Sequence, residues 1–95
     1  MAKVRKHVII KGRVQGVFFR ATTQDRALAL GLTGWVRNTR AVNVEAVFEG
    51  EEENAAKLLR WCQRGPPGAV VKEVQVKSEV YTGEFSTFSI EYSRW

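Results

Sequence analysis

Residues 51–65 read EEENAAKLLRWCQRG, and this stretch decides the fold. Ala55, Leu58, Leu59 and Cys62 fall at i, i+3, i+4 and i+7, one apolar stripe at helical spacing. Glu51, Glu52 and Glu53 stand at the end where a helix dipole favours anions, and Arg64 stands at the other. Gly65 followed by Pro66 and Pro67 ends the segment. The run of glutamates is a helix-start feature rather than a metal site.

Working outward, TGWVRN (33–38) and NVEAVFEG (43–50) precede this helix as two strands, closed by Gly50. Before them, RATTQDRALAL (20–30) is rich in helix formers, with Gly31 as its stop and Ala27 and Leu30 placed to face a sheet. VRKHVIIKGRV (4–14) sets Val4, Val8, Ile10 and Val14 on one parity and Arg5, His7 and Lys11 on the other, the alternation of a half-buried strand. Beyond the helix, VVKEVQVKSEV (70–80) and FSTFSIEYSRW (85–95) read as two last strands. The order β-α-β-β-α-β plus a C-terminal strand predicts an α+β, ferredoxin-like α/β sandwich. In it, two amphipathic helices cover one face of a mostly antiparallel sheet. Residues 1–95 form one domain, without repeat or linker; the fold alone assigns no function.

Fifteen basic against ten acidic residues leave a net charge of +5, which favours anionic partners, from small phosphorylated compounds to nucleic acid. One histidine and one cysteine, His7 and Cys62, are too few for a zinc site or a Cys/His dyad. His7 reads as an exposed strand residue and Cys62 as core. A single cysteine forms no internal disulfide, which suits a reducing compartment. The basic start MAKVRKHVIIKGRV holds an apolar run of three residues, too short for a signal peptide, and no stretch approaches a membrane span. The sequence therefore reads as cytoplasmic and metal-free, with no membrane partner.

The connection from the first strand to the first helix, GRVQGVFFR (12–20), carries the functional signal. A glycine there allows backbone N–H groups to turn inward together, and such a concavity beside a helix N-terminus binds anions. Arg20 would add a planar fork for two phosphate oxygens, and a bound dianion would offset its unfavourable place in the dipole. Equally, Gly16 could serve only the turn and Arg20 only the solvated surface. No Gly-Lys-Ser/Thr follows, so the loop is not a Walker A motif. Lys11 to Phe19 loosely echo an RNA-binding pattern, yet Arg13 and Gln15 stand where aromatics belong and the segment lies on the wrong strand. Nucleic acid is not the expected partner.

GRVQGVFFR followed by GLTGWVRN (31–38) resembles the acylphosphatases, whose pattern is Gly-x-Val-Gln-Gly-Val-x-Phe-Arg and then Gly-aromatic-Val-x-Asn. VEAVFEG, GPPGA and TGEFSTFSI extend the likeness along essentially the whole chain. The resemblance implies hydrolysis of the carboxyl–phosphate bond of acyl phosphates, without metal or cofactor. It implies that Arg20 binds the phosphate, that Asn38 orients the attacking water, and that the backbone from Gln15 through Gly16, Val17 and Phe18 to Phe19 forms the phosphate cradle. Inorganic phosphate or another oxyanion should occupy the same place. From its residues alone, Asn38 reads equally as a hairpin turn residue. The resemblance also implies a monomer.

One segment departs from the pattern. After Asn38 the chain reads TRAVN, with Ala41 where aspartate is common and Val42 where the family has glycine. Asp-Gly permits positive φ in a hairpin, whereas valine held there costs about 1–3 kcal/mol. Val36, Val42, Val44, Ala46 and Phe48 share one parity, so residues 34–49 could run on as a single strand. Two outcomes follow: a rebuilt loop in a monomer, or a hinge at Thr39–Asn43 that lets halves exchange between chains in a domain-swapped oligomer. A disturbed Asn38 would leave an anion-binding module with impaired catalysis, the alternative to a working hydrolase.

Overall fold

The computed structural model describes residues 2–92. Seven elements follow in order: β1 (Lys3–Arg13), α1 (Phe19–Ala29), β2 (Thr33–Asn38), β3 (Val44–Glu51), α2 (Glu52–Cys62), β4 (Val70–Glu79) and β5 (Phe88–Glu91). They form a five-stranded sheet in the order β4-β1-β3-β2-β5. Every pairing is antiparallel except β2 with β5. α1 packs over β2 and β5, and α2 over β1 and β3, on one side of the sheet. This is the expected ferredoxin-like arrangement.

The core lies between sheet and helices. Val8, Ile10 and Val14 from the first strand and its exit meet Val36, Val44, Ala46 and Phe48 from β2 and β3. α2 contributes Ala55, Leu58 and Cys62 as its spacing predicts, but Trp61 completes the buried stripe and Leu59 is only partly covered. Trp61 turns toward α1, its ring centroid 5.3 Å from that of Phe19. α1 buries Phe19, Thr23 and Ala27, and its amphipathic pattern is broken by the polar Thr23. That hydroxyl is satisfied locally, donating to the Phe19 carbonyl at 2.7 Å. Leu30 lies one residue past the helix and packs against the core edge.

Two expectations are corrected. Residues 34–49 do not form one strand: β2 and β3 close a hairpin within the chain, with Asn38 opposite Val44. His7 is not a bare surface residue. Its ring lies 2.6 Å from a Glu45 oxygen and 3.7 Å from Glu79, in a polar layer on the face opposite the helices. In that layer Glu49 is fully buried and accepts bonds from Arg5, from the Thr82 N–H and hydroxyl, and from the Gly83 N–H. It thereby ties down the long connection from β4 to β5. Part of the predicted last strand, residues 93–95, lies outside the described residues.

Candidate active site

The site forms where β1 leaves the sheet. Gly12 sits at a register shift in the β1–β4 ladder, and a Cβ there would stand 2.1 Å from the Val70 carbonyl oxygen. Only glycine permits that approach, and the bulge re-aims the strand exit. Val14 anchors the exit in the core, and the next residues turn sharply into α1. Gly16 takes φ 75° with open space around it, so glycine is required there for conformation rather than room. Phe18 takes φ 62° and ψ 25°, a left-handed conformation that motif reasoning had not assigned to it.

Gly16 and Phe18 both take positive φ in this turn, and alternating hand is the backbone pattern that lets successive N–H groups share one concavity. The N–H groups of residues 16–20 find no acceptor among the described residues. Arg20 is the second residue of α1, whose first turn carries no acidic side chain. Its guanidinium lies 5.2 Å from the centroid of the Tyr92 ring.

Asn38 reaches the same place from the sheet. It ends β2 on the parity of Gly34 and Val36, so its side chain continues the core face just beyond the core. Its Oδ1 is buried and has no hydrogen-bond partner among the described residues. A cleft of about 400 Å³ is lined by Gln15, Arg20, Asn38, Thr39, Arg40, Glu91 and Tyr92. An adjoining hollow of about 240 Å³ shares Arg20, Asn38 and Tyr92 and is bounded by Gly16, Phe18, Ala21 and Ile90. Arg20 and Asn38, 18 positions apart in the chain, are thus brought together with the loop backbone.

Gln15 has a second part that its motif position did not reveal. Its side-chain amide donates to the carbonyls of Thr39 at 3.0 Å and Asn43 at 2.8 Å. The cradle loop thereby holds both ends of the hairpin that follows Asn38. Inside that hairpin the Val42 N–H donates to the Thr39 carbonyl at 3.1 Å, and the Thr39 N–H to the Asn43 carbonyl at 2.9 Å. Val42 takes φ 66°, the left-handed region that favours glycine. The departure in sequence is absorbed as local backbone strain, and the β2–β3 register up to Asn38 is regular.

Among the described residues no His, Cys or carboxylate pair lines the cleft, whose one carboxylate is Glu91. Among the described residues no cluster of His, Cys, Asp and Glu is arranged to hold a metal ion. Among the described residues no helix is long and apolar enough to cross a membrane. The arrangement offers anion-binding donors, two cations in Arg20 and Arg40, and one orphaned acceptor, a set suited to holding a phosphoryl group beside a water.

The chain is similar to known proteins in sequence and in fold. The Acylphosphatase family model matches residues 6–90. An acylphosphatase from Pelotomaculum thermopropionicum is 55% identical over 92 residues, covering 97% of this chain and 100% of that relative. The solved structure of an acylphosphatase from Coxiella burnetii superposes with a TM-score of 0.89 at 38% identity, covering 94% of this chain and 93% of that one. The crystal structure of the acylphosphatase from Bacillus subtilis gives 0.90 at 32% identity, covering 94% and 99%.

Proposed function

The chain belongs to the acylphosphatase family, and from that premise we propose how its residues hydrolyse the carboxyl–phosphate bond of acyl phosphates. The observation that carries the assignment of roles is the buried, unpartnered Asn38 Oδ1, which lines the same cleft as Arg20. Arg20 and the backbone N–H groups from Gln15 to Phe19 hold the phosphoryl oxygens and spread their charge. Water donates one hydrogen to Asn38 Oδ1, which aims an oxygen lone pair at phosphorus in line with the leaving group. The new O–P bond forms as the P–O bond to the acyl group breaks, and its electron pair leaves with the carboxylate. The water proton passes to a phosphoryl oxygen, giving inorganic phosphate. Carboxylate is a good leaving group, so no protein base is required.

The single free cysteine supports a cytoplasmic location. The family match over residues 6–90 supports one domain over residues 1–95, and the resemblance to that family supports a monomer. The same regular hairpin removes the reason for reading the site as impaired, and a free oxyanion such as inorganic phosphate would occupy the cradle.

Release of phosphate from benzoyl phosphate without added metal tests the assignment. Arg20→Ala should abolish turnover chiefly by loss of phosphate binding, seen as lost inhibition by inorganic phosphate. Asn38→Ala should lower kcat by about 10²–10³, the scale of losing one preorganised polar contact in the transition state. Equal activity in wild type and both variants would overturn these roles.

A further inference from the structure

Asn38 Oδ1 is buried without a hydrogen-bond partner among the described residues, so no protein bond fixes that oxygen directly. Its place is inherited from the backbone on either side. On the strand side Asn38 pairs with Val44 at the end of the β2–β3 ladder. On the other side the chain passes straight into the hairpin loop at Thr39. Whatever holds that loop therefore holds the oxygen that aims the water.

The loop's own turn chemistry is weak. Val42 takes its left-handed position at φ 66° with neither glycine nor an Asp-Gly pair to favour it. Thr39 closes the loop locally: its carbonyl accepts from the Val42 N–H, its N–H donates to the Asn43 carbonyl, and its hydroxyl accepts from the Asn43 N–H at 3.2 Å. The same two carbonyls each accept a second bond, from Gln15 Nε2, at 3.0 Å for Thr39 and 2.8 Å for Asn43. A side-chain amide nitrogen carries two hydrogens, and both are spent on the two ends of this loop. Gln15 lies 24 and 28 positions away in the chain, so it pins the loop from outside.

We infer that the Gln15 side chain is a positioning residue for catalysis, setting Asn38 against the phosphate cradle through its paired bonds to Thr39 and Asn43. This rests on the acylphosphatase reading above and is separate from the part the Gln15 backbone plays in the cradle. Displacing an orienting group by about 1 Å costs about a hundredfold in rate. Phosphate binding by Arg20 and the cradle N–H groups does not run through the hairpin. Loss of the Gln15 amide therefore lowers kcat and spares affinity for phosphate.

A double-mutant cycle on benzoyl phosphate hydrolysis tests this with wild type, Gln15→Met, Asn38→Ala and the double variant, each with its inhibition constant for inorganic phosphate. Gln15→Met should lower kcat by about tenfold to a hundredfold, less than Asn38→Ala does, and leave phosphate inhibition within about twofold of wild type. In the Asn38→Ala background the same substitution should change kcat by less than about twofold, because the group it positions is already gone. A merely structural role would cost as much in both backgrounds, and that result would overturn the inference. So would an unchanged kcat in Gln15→Met, or phosphate inhibition that weakens in step with kcat. If Gln15→Met does not fold, Gln15→Asn, whose shorter side chain cannot reach both carbonyls, runs the same cycle. Wild type inactive on benzoyl phosphate, or Asn38→Ala fully active, would instead overturn the parent reading and this inference with it.

Discussion

Replacing Val42 by glycine should stabilise the protein, against the usual expectation for a substitution that removes a side chain. Val42 sits at φ 66°, and relief of a β-branched residue from that conformation returns about 1–3 kcal/mol. Two terms oppose the gain. Glycine adds unfolded-state freedom worth about 0.4–1 kcal/mol. The valine side chain is 61% exposed, so its lost burial contributes only about 0.5 kcal/mol. At the middle of these ranges the net is a gain of about 0.8 kcal/mol, or an upward shift of about 3–6 °C in the thermal midpoint of a domain this size. Thermal unfolding followed by circular dichroism measures it directly. Val42→Ala serves as control, since it retains the Cβ that makes the conformation costly. A lower midpoint for Val42→Gly, or an equal gain for Val42→Ala, would refute the strain account. Hydrolysis of benzoyl phosphate should stay within about twofold of wild type, because the hairpin hydrogen bonds made by Gln15 and Thr39 need no Val42 side chain. Size exclusion over a range of concentrations should show monomer for both proteins, and a swapped dimer that Val42→Gly suppresses would restore the hinge reading.

Glu49→Gln should lower stability at pH 7 by about 2–3 kcal/mol, since it replaces a buried carboxylate that accepts charge-assisted bonds from Arg5, Thr82 and Gly83. Burial pushes the Glu49 carboxyl up, but those hydrogen bonds outweigh it and hold the group below its ordinary value. A carboxylate depressed in the folded state stabilises above its unfolded pKa, near 4.3, and loses that contribution as pH falls through the folded value. Chemical denaturation at pH 7 and pH 3 should therefore show the gap between wild type and Glu49→Gln narrowing in acid; a constant gap would count against the linkage. Burial pushes the Cys62 thiol up to about 12. The native protein should accordingly resist alkylation at pH 8 until it unfolds. Stability should also decline above about pH 8.5, where the unfolded thiol ionises and the folded one does not, and Cys62→Ala should remove that component of the pH dependence.

Local pattern was enough for most of the fold because each element carries its own period. The 3.6-residue stripe of residues 55–62 and the parity of Val8, Ile10 and Val14 report burial directly, since a residue's face follows from its spacing alone. The α1 stripe was harder to read because Thr23 interrupts it and hides its polarity in a bond to its own helix. Arg20, Asn38 and the cradle were legible through motif resemblance, while local chemistry left them open between turn and site. What the structure adds is the orphaned Asn38 Oδ1 and the set of unpaired N–H groups beside Arg20, which no single segment contains.

The sequence by itself determined the order of elements, the covered face of the sheet, the glycine turn and the family. Only the tertiary structure decided the rest: that Gln15 ties the strand-to-helix loop to the hairpin, that Phe18 and Tyr92 line one hollow, and that His7 lies among carboxylates. It also decided that Val42 accepts a strained conformation rather than extending the strand. The reason is physical. Periodicity encodes a residue's relation to its own helix or strand, whereas these features depend on contacts between segments distant in the chain, and there the packing of the whole outweighs the preference of a single valine.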